Sequence, residues 1–278
     1  MKNLQRTHQL DHTRDVVRVV QVTDSHLCRT SGGTLLGMDT DHSLQAVLDS
    51  IQREQPEVDL VLATGDLSNQ GAVESYVRFQ TYMEQLGAPA FWLTGNHDSH
   101  ADMLKVAADS PLFCNEIRTA TWQILMLDTQ VPGAVEGELG ADQLGLLEGA
   151  LEHAAEQRLH SLVCLHHQPI AIGCKWLDQQ MVADADSFFR VLDRYGGVKG
   201  VLWGHIHQQV DSERKGVALM ASPSTCIQFA PGSESFRVDD QSPGYRWLDL
   251  HRNGTIETGV SRVVDVSFKV DLDSGGYL

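Results

Sequence analysis

Five apolar runs in this chain each end on a polar cluster carrying carboxylate, amide or imidazole groups. VVQVTDSH ends on Asp24 and His26, VLATGD on Asp66, and FWLTGNHD on Asn96 and His97; LVCLHH ends on His166, and VLWGHIH on His205 and His207. Each run reads as a buried strand, and each polar cluster begins where its strand stops. In parallel sheets such strand ends lie side by side at the carboxyl edge, where open α/β folds bind ligands. A chain built this way has to bring five strand ends together, and that requirement governs what it can fold into.

Around these runs the sequence alternates strand and helix. Strands are predicted over residues 16–23, 58–64, 90–94, 122–128, 161–165 and 198–203, and helices over 41–55, 73–86, 142–157 and 184–194. Asp41 reads as an N-cap, with Leu44, Val47, Leu48 and Ile51 forming one apolar face behind it. After His207 the pattern changes to short strands over 216–221, 224–229, 245–250 and 255–262, with a hairpin break at Asn253 and Gly254. A helix–strand part followed by a strand-rich end predicts an α/β fold in which two mixed sheets pack face to face with helices outside. Residues 1–15 read as a flexible lead-in, 16–264 as one domain, and 265–278 as a C-terminal tail, loose from 271 onward.

In an extended segment, residues two apart point to the same side. Asp24 and His26 can then address one point in space, and so can His205 and His207. Asp66 follows Gly65, which permits close backbone approach, and its two oxygens can bridge two ions. Asn96 offers a neutral carbonyl oxygen and His166 a further imidazole nitrogen. Mixed oxygen and nitrogen donors suit iron, manganese or zinc better than calcium or a thiolate-held centre. His97, beside Asn96 in a tight turn, would diverge from a metal and face a substrate. There it could stabilise phosphoryl oxygens or protonate a leaving oxygen. A lone strand-end Asp or His is usually a turn former, and the GD and GNHD turns can each be simple punctuation. The ordered recurrence at strand ends is what carries the reading. His8, His12, His42, His100, His153, His160 and His251 sit in polar or amphipathic contexts and read as solvated. His167 stays open between supporting His166 and merely ending its strand.

The formal net charge of −16 works against polymeric nucleic acid as a partner, because such binding depends on basic surfaces. No stretch approaches the roughly 18 apolar residues of a membrane span, and the polar first fifteen residues lack the apolar segment of a secretory signal. No membrane partner is expected, and cytoplasmic residence is the expectation. Five cysteines, odd in number and irregularly spaced, form neither a disulfide framework nor a zinc pair. An acidic chain that handles phosphate needs a local source of positive charge, which bound metals would supply.

The ordered set DSH, GDLSNQG, GNHD, HH and GHIH resembles the signature of calcineurin-like metallophosphoesterases. The resemblance implies a four-layer sandwich of two mixed β-sheets flanked by helices, with a dinuclear metal site. By analogy Asp24, His26, Asp66 and His207 would hold one ion, and Asp66, Asn96, His166 and His205 the second. His97 would be the non-ligand catalytic histidine, and His26, Asp66, Asn96, His97 and His207 would face the substrate.

A narrower resemblance runs over about residues 16–264. LLGMDTDHSLQAVLDSI, VEGELGADQL, GCKWLDQ, SPSTCIQF and PGYRWLDL are similar to stretches of the bacterial class III 3′,5′-cyclic-AMP phosphodiesterases. This implies hydrolysis of 3′,5′-cyclic AMP to 5′-AMP by attack of a metal-activated hydroxide. The implied cofactors are two metal ions, Fe2+ or Mn2+ or a mixed pair, and the implied partner is a small cyclic nucleotide. Protein phosphatases of the wider family carry GDxxDRG, whereas Asn69 and Gln70 here replace its second Asp and its Arg. Without the Arg that would grip a phosphate dianion, a phosphoprotein substrate is disfavoured. Two divalent ions, two ligand carboxylates and one hydroxide sum to about +1, which matches a monoanionic diester. The alternative on the same fold is another small-molecule phosphodiesterase or a nucleotide pyrophosphatase. Loops 173–179 and 222–229 could bring Trp176, Ser224, Thr225 or Phe229 to a base or ribose, although aromatic side chains more often pack than stack on a ligand. Base selectivity and oligomeric state stay open.

Overall fold

The strand Val16–Val22 is apolar on both faces, and its side chains divide between two cores. Val17 and Val19 pack toward a second sheet, whereas Val20 and Val22 pack against helices. Its neighbours divide in the same way, because successive strand residues point to opposite faces. In the computed structural model, which describes residues 7–107 and 110–276, this strand is central to a five-stranded sheet. The order is Ile256–Arg262, Gly244–His251, Val16–Val22, Leu60–Thr64, Ala90–Leu93. The last three run parallel, and the C-terminal hairpin joins them antiparallel.

The second sheet has seven strands, ordered Thr7–Gln9, Glu116–Arg118, Trp122–Met126, His160–Cys164, Val198–Trp203, Val217–Ala221, Val210–Arg214. From Trp122–Met126 to Val217–Ala221 the strands are parallel, with antiparallel neighbours on either side. Between the sheets, Val19, Leu62 and Phe91 meet Ile124, Leu162 and Leu202. Outside the first sheet, Val20, Val61 and Trp92 are covered by Leu44, Val47 and Ile51 of helix Thr40–Glu54 and by Phe79 of helix Val73–Glu84. Outside the second, Leu125, Val163 and Val201 lie under Leu147 and Leu151 of helix Gly140–Gln157 and Phe188 of helix Ala185–Leu192. The architecture is the expected four-layer α/β sandwich.

Several local expectations are revised. Helix Thr40–Glu54 is capped by Asp39, whose carboxylate accepts the His42 amide at 2.9 Å. Asp41 instead accepts from the Arg78 guanidinium and the Tyr82 hydroxyl, both at 3.1 Å. Only Gln228–Phe229 of the stretch 224–229 is strand, because Ser224 and Thr225 are engaged with the loop carrying Asp24. Thr7–Gln9, expected to be flexible, pairs with Glu116–Arg118. His12, expected to be solvated, lies 3.2 Å from Asp59 with its side chain 7% exposed. The described part of the tail is tied down: Phe268 and Val270 pack on the cores, and the Asp271 amide donates to the Leu36 carbonyl at 2.8 Å. Residues 1–6 and 277–278 of the two terminal segments lie outside the described residues. Helix His100–Ala107 escaped the pattern reading, since eight residues give little period to detect.

Candidate metal centre and substrate cavity

The parallel strands of both sheets end at one shared edge. Val16–Val22, Leu60–Thr64 and Ala90–Leu93 lead into Asp24 and His26, Asp66, and Asn96 and His97, while His160–Cys164 and Val198–Trp203 lead into His166 and into His205 and His207. The i, i+2 pairs do converge, but not through extended backbone. Asp24, His26, Asp66, His205 and His207 have left-handed φ values of 55, 45, 51, 65 and 49°. Such a conformation costs a non-glycine residue on the order of 1–3 kcal/mol unless its surroundings hold it. Here they do: the Asp24 amide donates to the Gly65 carbonyl at 3.0 Å, His26 to the Asp66 carbonyl at 2.9 Å, and His205 to the Asp24 carboxylate at 3.0 Å. Two glycines make the close approach possible. A Cβ on Gly65 would lie 2.3 Å from His166 Nδ1, and one on Gly204 would lie 2.1 Å from Thr23 Oγ1.

Two groups of donors result. In one, His207 Nε2 lies 3.4 Å from Asp24 Oδ1 and 3.2 Å from His26 Nε2. In the other, His166 Nε2 lies 3.3 Å from both Asn96 Oδ1 and Asp66 Oδ2. Asp66 Oδ2 is also 3.7 Å from His26 Nε2, so one oxygen faces both groups. The other oxygen, Oδ1, accepts the His97 backbone N–H at 2.8 Å. Asp66 thus divides its contacts, with Oδ2 facing both donor groups and Oδ1 holding the backbone of the Asn96–His97 turn.

The electrostatics suit cations. Burial pushes the Asp24 and Asp66 carboxyls up, yet the neighbouring imidazoles, His207 beside Asp24 and His166 beside Asp66, hold both below the usual carboxylate range. Burial pushes His26 down to about 3 and lowers His205 strongly, which leaves neutral rings with a lone pair to offer. At His166 burial also favours the neutral ring, but the Asp66 carboxylate outweighs it and raises the group to about 9. Donor atoms lie within 4.8 Å of one another in four overlapping clusters among the described residues: Asp24, His26 and His207; Asp24, Asp66 and His166; His26, Asp66 and His97; and His166, His167 and His205. Two carboxylates, an amide oxygen and imidazole nitrogens, with no thiolate among them, fit a pair of borderline divalent ions.

His97 borders the donor groups, with a ring nitrogen within 4.8 Å of donor atoms of His26 and Asp66. Its Nδ1 donates to the main-chain carbonyl of Asn69 at 3.2 Å, and its ring meets His26 edge-on at 4.8 Å. His167 lies close to His166 and His205, but its nitrogens are committed elsewhere, to Thr129 Oγ1 at 2.8 Å and the Val135 carbonyl at 3.0 Å. It braces the loop 129–137, with one ring nitrogen within 4.8 Å of nitrogens of His166 and His205. Sequence reasoning missed Gln21, a polar residue inside the run VVQV and the signal that could have exposed it. Its amide donates to Thr64 Oγ1 at 2.7 Å and to the Trp203 carbonyl at 3.1 Å and accepts from Ser222, so it links the two sheets just beneath the site.

A cavity of about 440 Å³ opens beside Asn96, His97 and His205. Trp176, Phe229 and Phe236 line it, and so do Gly275 and Gly276 of the C-terminal segment. Phe229 stacks on the His207 ring, 4.2 Å between centroids at 12°, and Trp176 meets Phe229 edge-on at 5.0 Å. The loop aromatics thus do both things: they pack on one another and wall the cavity. Ser224 and Thr225 instead brace the first ligand loop, through the Asp24 carbonyl at 2.7 Å and Ser25 Oγ at 3.0 Å. Of the residues expected to face substrate, Asn96 and His97 line the cavity, whereas His26, Asp66 and His207 are buried beneath it.

The chain resembles known proteins along nearly all its length. Residues 17–209 match the sequence pattern of the calcineurin-like phosphoesterases. The 3′,5′-cyclic adenosine monophosphate phosphodiesterase CpdA of Pseudomonas aeruginosa is 47% identical over 261 residues, covering 94% of this chain and 95% of the relative. The protein of the same name from Escherichia coli K12 is 42% identical over 267 residues, with coverage of 94% and 95%. Among solved structures, a dimetal phosphatase from Danio rerio superposes with a TM-score of 0.57 at 14% identity, covering 89% of this chain and 99% of that one. A purple acid phosphatase from yellow lupin gives 0.64 at 14% identity, covering 92% and 53%. At such identities the structural likeness speaks to the fold alone. On the matched pattern and the near-full-length relatives, this chain belongs to the calcineurin-like phosphoesterase family.

Proposed function

We propose that the protein is a phosphodiesterase that hydrolyses 3′,5′-cyclic AMP to 5′-AMP with two bound divalent ions. The observation that carries this reading is the conjunction of two donor groups sharing Asp66 Oδ2 with an aromatic-walled cavity beside them, large enough for a nucleotide. Relatives at 42–47% identity bear the name of that activity. The catalytic unit is the single sandwich of residues 16–264, to which the terminal segments are appended.

In this reading Asp24, His26, Asp66 and His207 hold one ion, and Asp66, Asn96, His166 and His205 hold the other. When bound, the ions supply Lewis acidity toward the phosphoryl oxygens and a water made nucleophilic near neutral pH. The donor set suits iron, manganese or zinc, and the resemblance to the cyclic-AMP enzymes narrows this reading to Fe2+ or Mn2+, alone or as a mixed pair. His97, oriented by the Asn69 carbonyl at Nδ1 and lining the cavity, protonates the departing 3′ oxygen in this reading. Asn96 lies at the cavity wall beside it and orients the phosphate. Trp176 and Phe236 offer apolar contact to the nucleoside. A cytoplasmic location goes with this reading, and five free cysteines suit a reducing compartment.

The test is chromatography of the products formed from 3′,5′-cyclic AMP by protein reconstituted with Mn2+ or Fe2+. Release of 5′-AMP, abolished by a chelator and restored by metal, is the expected result. Release of 3′-AMP would overturn the proposed direction of attack. Cleavage of other diesters or of dinucleotide pyrophosphates, with cyclic AMP left intact, would assign the chain to a different small-molecule phosphodiesterase or to a nucleotide pyrophosphatase.

A further inference from the structure

A histidine can give a metal only the ring nitrogen that carries no proton, so whatever holds the other nitrogen decides which one is offered. His166 Nδ1 lies 2.7 Å from the Thr64 carbonyl, and His207 Nδ1 lies 2.8 Å from the Ile227 carbonyl. A carbonyl oxygen only accepts, so both rings carry their proton on Nδ1. Both accordingly turn Nε2 toward the carboxylates, at 3.3 Å from Asp66 and 3.4 Å from Asp24.

His205 is held the opposite way. Its Nε2 lies 3.1 Å from Oε1 of Gln180, an amide oxygen that also only accepts. The proton then sits on Nε2, and Nδ1 is the nitrogen on offer. The backbone of His205 is fixed independently by its left-handed φ of 65° and by its N–H to the Asp24 carboxylate. Rotation and tautomer of the ring are what remain to be set. Gln180 is well placed to set them, because it closes the 3-10 turn Leu177–Gln180, itself anchored through its first two residues. Gln168, two residues after His166, donates to the Leu177 carbonyl at 2.6 Å, and the Asp178 carboxylate accepts the Ile172 and Gly173 amides at 2.8 and 3.1 Å.

We propose that Gln180 is a positioning residue that locks His205 in the Nε2–H tautomer and so directs Nδ1 to the second metal position. This rests on the reading of His205 as a ligand of that position. Of the three acceptors, those of His166 and His207 are main-chain carbonyls that no substitution removes, whereas that of His205 is a side chain. The arrangement therefore makes a prediction specific to one residue.

Two variants and one direct observation test it. Gln180→Leu keeps much of the side-chain bulk but has no acceptor, whereas Gln180→Glu keeps the acceptor. In Mn2+ titrations followed by the electron-spin signal of free and spin-coupled manganese, Gln180→Leu should weaken binding of the second ion roughly 10–100-fold while the first is retained. Gln180→Glu should stay close to the parent. Undiminished binding of both ions by Gln180→Leu, in protein that has kept its fold by circular dichroism, would overturn the proposal. Independently of any variant, long-range proton–nitrogen NMR correlations of the zinc-loaded parent should show His205 protonated at Nε2, and protonation at Nδ1 would equally overturn it. His205→Ala separates the two levels of argument. If that variant still takes up two ions, His205 is not a ligand and the underlying reading fails. If it loses the second ion while Gln180→Leu does not, only the role of Gln180 fails.

Discussion

Replacing Gln21 by leucine would test whether one buried amide holds the two sheets together beneath the metal centre. Gln21 shares the inter-sheet face of its strand with Val17 and Val19 and is fully buried. It donates to Thr64 Oγ1 at 2.7 Å in its own sheet and to the Trp203 carbonyl at 3.1 Å in the other, and it accepts from the Ser222 hydroxyl. Leucine is close in size, so little cavity forms and the cost lies in three polar groups that lose a partner in a dry interface. Each group left unpaired costs roughly 1–3 kcal/mol. The two hydroxyls can rotate toward other acceptors, and burying leucine in place of an amide recovers part of the loss. The net expectation is a destabilisation of about 2–4 kcal/mol, a large share of the roughly 5–15 kcal/mol that holds a typical domain folded. Urea unfolding of the chelated parent and variant would measure it as a lower midpoint at unchanged slope. A loss smaller than about 1 kcal/mol would refute the reasoning, because the orphaned groups would then have found partners that cost little.

Other outcomes follow from the same geometry. Asp66→Asn keeps an acceptor for the His97 amide but removes the charge facing both donor groups, so elemental analysis should find both ions weakened; two tightly held ions would contradict the shared role of Oδ2. His97→Ala should keep its metal content and lose roughly 10²–10⁴-fold in turnover; metal loss comparable to that of His205→Ala would make His97 a ligand instead. In chelated protein, His166 is raised to about 9 by Asp66, against about 6.5 when unfolded. Its contribution to stability is therefore complete below about pH 6.5 and lost as pH climbs through about 9. Metal should abolish that loss by taking the place of the proton. Denaturation midpoints across this range, with and without Mn2+, give the comparison, and a flat profile for the chelated protein would contradict the His166–Asp66 pairing.

How much of this was legible beforehand depends on how local the governing interaction is. Strand Val198–Trp203 was placed to the residue and most others to within about two, because apolar character bounded by glycine is a property of neighbouring positions. The N-cap was missed by two residues. Asp39 and Asp41 are equally able to cap, and what separated them was that Arg78 and Tyr82, some forty positions away, engage Asp41. The pairing of Thr7–Gln9 with Glu116–Arg118 was invisible for the same reason, since a three-residue edge strand owes its existence to a partner over a hundred positions distant.

The candidate site divides along the same line. Asp24, His26, Asp66, Asn96, His97, His166, His205 and His207 were readable from the chain itself, because each follows an apolar run that could only be a buried strand, and parallel strands bring their carboxyl ends to one edge. What the residue order could not contain is how each side chain is aimed. The left-handed backbone at five of these positions, the single oxygen of Asp66 that faces both donor groups, and the acceptors that choose a nitrogen on each imidazole all depend on groups from distant strands and loops. Residue type and spacing determined which donors exist and that they must meet; packing of the two sheets against each other decided their orientation, because a hydrogen bond of about 3 Å between remote segments is set by the fold and not by the neighbours in sequence.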